Sequence, residues 1–178
     1  MRALKMKASL VGAVIVFLWS WFSWVAVGVP AKTFKDPAAM VEAFKENAPE
    51  NGVYMLPSMG RDSDRAFAEK LYMEGPVVHA AVEAHGMRPV GLSMVFAFIT
   101  QFIGAYAITC LLLRTKGLKY GKKVLFITGV GFLVAWLGVV PGWIWKGFSP
   151  AYSIFLILDI IIAWFLAGLA MAKVLRKS

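Results

Sequence analysis

Residues 151–172 read AYSIFLILDIIIAWFLAGLAMA, an apolar run with one charge inside it, Asp159. At 1.5 Å rise per residue, about twenty apolar residues cover a hydrocarbon core of roughly 30 Å. The run is therefore read as a spanning helix, with Asp159 well inside it and somewhat before its middle. A charged side chain at the bilayer centre costs at least ~2.5 kcal/mol, so the carboxyl group is expected to find a polar mate. Ala163, Ala167 and Ala170 follow on the same helical face. All three are small, and that face is the one best shaped to meet another helix.

Composition supports a membrane setting for the whole chain. Of 178 residues, 60% are hydrophobic and 16% charged, against roughly 45–50% and a quarter in soluble domains. The excess falls in blocks, as spanning helices require. A net charge of +9 invites a nucleic-acid reading, but the basic residues cluster at helix ends and form no stripe with interleaved aromatics. No nucleic-acid partner is expected. The single cysteine, Cys110, lies in an apolar segment, which excludes an intramolecular disulfide and any Cys-rich metal or redox motif.

Three further apolar runs are read as spans. The first covers residues 8–29 after a basic start, Arg2, Lys5 and Lys7. It is too long for the apolar core of a signal peptide and lacks a small-x-small cleavage site, so it is read as an uncleaved helix. The second covers 89–113 and carries Gln101 near its centre; Ser93, Ala97, Gly104 and Ala105 share its face. The third runs from 124 to about 143 with Gly131, Ala135, Gly138 and Gly142 in helical register, and Pro141 is expected to kink or end it. Trp19, Trp21 and Trp24 near one end of the first span, with Trp143 and Trp145 at the end of the third, are read as anchors at the headgroup boundary. Ala163, Ala167, Gly104, Gly131, Ala135 and Gly138 are the expected helix-packing positions.

The expected fold is an all-α four-transmembrane-helix bundle with a small extracytoplasmic segment between the first two helices. It divides into residues 1–29, 30–88 and 89–178. The middle segment holds nine of the ten acidic residues. Asp36 before Pro37 is read as a helix N-cap, and Asp62 or Asp64 as the cap of a second short helix. Residues 52–56 read as extended chain, and 77–84 are ambiguous between helix and strand. Phe44, Tyr54, Phe67 and Leu71 are expected to be buried on the rim of the bundle. Eleven of the 19 lysines and arginines lie in the N-terminal stretch, the second-to-third linker and the C-terminus, without one acid among them. The positive-inside rule then places both termini in the cytoplasm and residues 30–88 outside.

Chemistry could sit at few places. Asp159 is read either as a neutral or hydrogen-bonded lock between helices, most simply to Gln101, or as a group that binds a proton, cation or polar ligand. His79, Glu83 and His85 form a weak metal-like cluster, in which His79 and Glu83 share a face if the chain there is helical; two ligands leave a zinc site short. No phosphate loop, nucleophile elbow, H-E-x-x-H or Ser-His-Asp set is present. No catalytic residue and no cofactor is expected.

Three stretches carry a resemblance. They are Asn47-Ala-Pro-Glu-Asn-Gly-Val-Tyr-Met-Leu-Pro57, then Gly75-Pro76, then Trp143-Ile-Trp-Lys-Gly-Phe-Ser-Pro150 leading to Asp159, Trp164 and Gly168. Together they resemble a family of small bacterial four-span integral membrane proteins, which carries no activity with it. The resemblance implies the architecture above and a bacterial inner membrane. Claudin-like and tetraspanin-like proteins, and the quinone-linked disulfide-forming oxidoreductases, are set aside because cysteine pairs are missing.

The functional expectation is a non-enzymatic inner-membrane protein, an accessory or assembly subunit of a larger complex, with the lipid bilayer and protein partners or further copies of itself around it. The alternative is a small transporter or ion- or lipid-binding protein centred on Asp159 and Gln101. An enzyme acting at the outer surface through His79 and Glu83 is the third reading.

Overall fold

The computed structural model describes residues 2–58, 60, 64–115 and 117–177, the last of these through its backbone. Four helices are long and apolar enough to cross a membrane. They are α1 (Arg2–Phe22, prolonged as a wider π-helical stretch over Ser23–Gly28), α4 (Val90–Leu112), α5 (Tyr120–Trp145) and α6 (Pro150–Val174). Between α1 and α4 lie α2 (Pro37–Asn47), β1 (Gly52–Leu56), α3 (Arg65–Glu74) and β2 (Val78–Val82). Asp62 and Lys116, assigned above as a possible cap and a linker charge, lie outside the described residues.

The α6 helix sits between α1 and α5, and α1 in turn packs on α4, while α4 and α5 barely touch. The core is made where these helices meet, from Ala8, Ala13 and Val16 of α1, Ala105 and Ile108 of α4, Ile127 of α5, and Ala163, Ala167 and Met171 of α6. In lipid, apolar side chains gain nothing by leaving one hydrocarbon for another, so close backbone approach at small residues decides which faces pair. Gly131 shows how close. A β-carbon built there would stand 2.6 Å from Trp164 Cβ and 2.9 Å from Cγ. The far edge of the same indole reaches Gly104, at 3.6 Å from its would-be β-carbon. Trp164 thus fills the space between α4 and α5 that those helices do not close themselves.

Of the expected packing positions, Ala163, Ala167, Gly131 and Ala135 are buried. Gly138 is not: it is exposed, and a β-carbon there would meet nothing within 4 Å. The inward stripe of α5 continues through Val139 instead, because α5 leans on α6 alone and the flank carrying Gly138 has no neighbour. Pro141 does not end α5, which continues to Trp145. The turn into α6 is held by the Phe148 ring, whose carbons would lie 2.5 and 2.6 Å from a β-carbon on Gly142. Ser149 then caps α6 by accepting a hydrogen bond from the Tyr152 amide at 3.2 Å, with Pro150 at the first helical position.

The segment between α1 and α4 is ordered by local chemistry. Asp36 accepts from the Ala39 amide at 3.0 Å and opens α2 at Pro37. Asp64 accepts from Ala66 and Phe67 and opens α3. Residues 52–56 are extended as expected, and the ambiguous run resolves as a strand: β1 and β2 pair antiparallel, with Tyr54 opposite Ala80 and Met55 opposite His79. Asn51 closes the open end of this hairpin. Its Nδ2 donates to Glu83 Oε2 at 2.9 Å and its Oδ1 accepts from the Ala84 amide at 2.8 Å. Phe44, Tyr54 and Leu71 are half-buried, but Phe67 is exposed.

Candidate functional site

Asp159 is buried on the face of α6 that meets α1. Its partner is Trp19: the indole Nε1–H donates to Asp159 Oδ1 at 2.8 Å. The two residues match in depth, Trp19 lying nine residues before Gly28 and Asp159 nine residues after Pro150, about 14 Å in from the helix ends. Asp159 sits where Ala163 and Ala167 follow it, so α1 can approach closely enough for the indole to reach the carboxylate.

Gln101 does not take that role. It is half-buried on α4, whose main neighbour is α1 rather than α6, and its side chain makes no hydrogen bond among the described residues. Trp19 is correspondingly not a lipid-facing anchor, because its ring turns into the bundle. Trp21, Trp24, Trp143 and Trp145 are exposed. The signal available in sequence was the equal depth of Trp19 and Asp159. An indole near a span end nonetheless reads first as an interfacial residue.

Chemically, the arrangement is one carboxyl group meeting one neutral donor. None of the four spans holds a second acid or a histidine. Other buried polar groups are also placed to hold helices together. Ser9 Oγ lies 2.8 Å from the Lys5 carbonyl and 3.3 Å from Thr109 Oγ1, whose hydroxyl donates to Ala105 at 2.8 Å. This joins α1 to α4. Lys123 of α5 donates from Nζ to the Leu175 carbonyl at the end of α6, where a positive charge meets the negative end of the helix dipole. Ser153 Oγ is buried without a partner among the described residues.

His79 and Glu83 are not brought together. The run is strand β2, where four residues extend about 13 Å, and Glu83 is engaged by Asn51. His85 lies in the turn beyond. Among the described residues no three His, Cys, Asp or Glu side chains are grouped to hold a metal ion.

The geometry defines a four-helix protein of membrane type with a buried interhelical tryptophan–aspartate pair. Comparison with family models, curated proteins and solved structures finds no match.

Proposed function

We propose that the chain is a non-enzymatic integral protein of a bacterial inner membrane that serves as an accessory or assembly subunit of a larger membrane complex. Both termini then lie in the cytoplasm and residues 30–88 outside. The observation that supports this reading is exposed apolar surface on the segment between the first two spanning helices. The segment between α1 and α4 exposes Val53, Met55, Phe67, Tyr72, Met73 and Met87, the last two at 81% and 76%. With this segment outside the membrane, as proposed, lipid tails cover the outer faces of the spanning helices alone, and exposed apolar side chains on the segment favour a protein contact. Its two-stranded hairpin also leaves both strand edges unpaired among the described residues.

The Trp19–Asp159 bond supports the lock reading of the carboxyl group over a transport role, since the oxygen is already held by a neighbouring helix. The basic N-terminus, α4–α5 linker and C-terminus support the orientation. The test is extraction from native membranes in mild detergent after cross-linking. A discrete species containing this chain and at least one other polypeptide is expected; a chain that stays monomeric and partnerless overturns the proposal.

A further inference from the structure

Toward the basic end of the bundle, beside the α1–α4 contact, lies a groove of about 240 Å³ lined by Arg2, Lys5, Met6, Phe102 and Tyr106. Two cations stand at its mouth. Met6 and the stacked rings of Phe102 and Tyr106, 6.5 Å between centroids and 27° apart, line its wall. Neither cation makes an ion pair with a described residue, and the Tyr106 hydroxyl makes no hydrogen bond among them. The N-terminal stretch, the α4–α5 linker and the C-terminus contain no acid.

We propose that this groove is a binding site for one anionic glycerophospholipid. The charges argue for the anion. A guanidinium and an ammonium on neighbouring turns of α1 make a two-point clamp for a phosphodiester, the guanidinium bidentate. Depth argues for a lipid over a soluble phosphate. Tyr106 lies six residues before the end of α4 at Leu112, about 9 Å further into the membrane. That places its free hydroxyl below the phosphate, at the level of the glycerol esters, where it donates to an ester carbonyl. Phe102, one turn deeper than Tyr106, then lies against the upper acyl chain, while Met6 lies beside the two cations on α1. The site is independent of the Trp19–Asp159 pair and of the segment between α1 and α4, so it stands whether or not the chain joins a larger complex.

The experiment is native mass spectrometry of the full chain in mild detergent, with phosphatidylglycerol or phosphatidylcholine of identical acyl chains added. Phosphatidylglycerol is expected to be retained on the order of tenfold better, from about one favourable contact per basic residue. The Arg2→Gln/Lys5→Gln double variant should lose that preference, Tyr106→Phe should lose part of it, and Lys5→Arg should keep it. Lys119→Gln/Lys122→Gln, at the same end but outside the groove, should also keep it. The proposal is overturned if Lys119→Gln/Lys122→Gln loses as much as Arg2→Gln/Lys5→Gln, which would mean diffuse charge. It is also overturned if excess inorganic phosphate displaces the lipid, or if Arg2→Gln/Lys5→Gln changes the oligomeric state and leaves lipid retention as it was.

Discussion

Trp164 of α6 lies so close to Gly131 of α5 that a single added carbon on the glycine would stand 2.6 Å from the tryptophan's Cβ. The atoms in the way are the root of the side chain and the helix that bears it, which cannot swing aside. Gly131→Ala should therefore force α5 and α6 apart and cost about 1–3 kcal/mol, read as a lower thermal midpoint in detergent. Gly129→Ala, with nothing within 4 Å, and Gly104→Ala, in ordinary contact at 3.6 Å, should melt with the parent. Equal midpoints for all three would show that the α5–α6 contact is looser than its geometry.

Between Trp19 and Asp159, the carboxylate needs only an acceptor oxygen facing α1. Asp159→Asn keeps one and should leave folding intact. Trp19→Phe removes the donor and leaves a buried oxygen unserved, at about 1–3 kcal/mol. A double-mutant cycle of Trp19→Phe with Asp159→Leu should return a coupling of roughly 0.6–1.7 kcal/mol, the range of interhelical hydrogen bonds in membranes. A coupling of zero by thermal unfolding would remove the pair as a lock.

Asn51 ties β1 to the chain just beyond β2 through two hydrogen bonds. Asn51→Leu is expected to speed amide exchange across 78–84 while the midpoint of the spanning helices stays where it was. The two halves share only a few apolar neighbours, chiefly around a crevice lined by Tyr72, His79 and Trp145. A joint loss of protection in both halves would show that the hairpin is coupled to the bundle.

Orientation is checked by the exposed Met73. In intact cells or inverted vesicles, Met73→Cys should react with a membrane-impermeant maleimide only from the extracytoplasmic side, while the native Cys110 within α4 stays unlabelled. Phe67→Ser/Met73→Ser should leave the melting midpoint unchanged and reduce cross-linking to any partner, since both side chains are exposed.

Much of the bundle was legible in the sequence because hydropathy has no competitor over twenty residues. Residues 52–56 were legible as extended chain from glycine and proline on either side. Val78–Val82 was not, because Val-His-Ala-Ala-Val holds two alanines that suit a helix and two valines that suit a strand, and only pairing with Met55 and Tyr54 decides. Gln101 and Trp19 both lie deep within their spans, at depths compatible with Asp159. The choice rests on which helix stands beside α6, and periodicity along one helix carries no information about its neighbours. Gly138 fails for the same reason: its register on α5 was right, but no helix occupies that side.

The Trp19–Asp159 bond joins α1 to α6, with α4 and α5 inserted between them during synthesis. Until α6 enters the bilayer, the indole of Trp19 has no carboxylate to meet, and when it enters, Asp159 needs that indole at once. The Trp19–Asp159 contact therefore closes only after α6 has followed α1, α4 and α5. A chain stalled before α6 would leave the Trp19 indole without this acceptor.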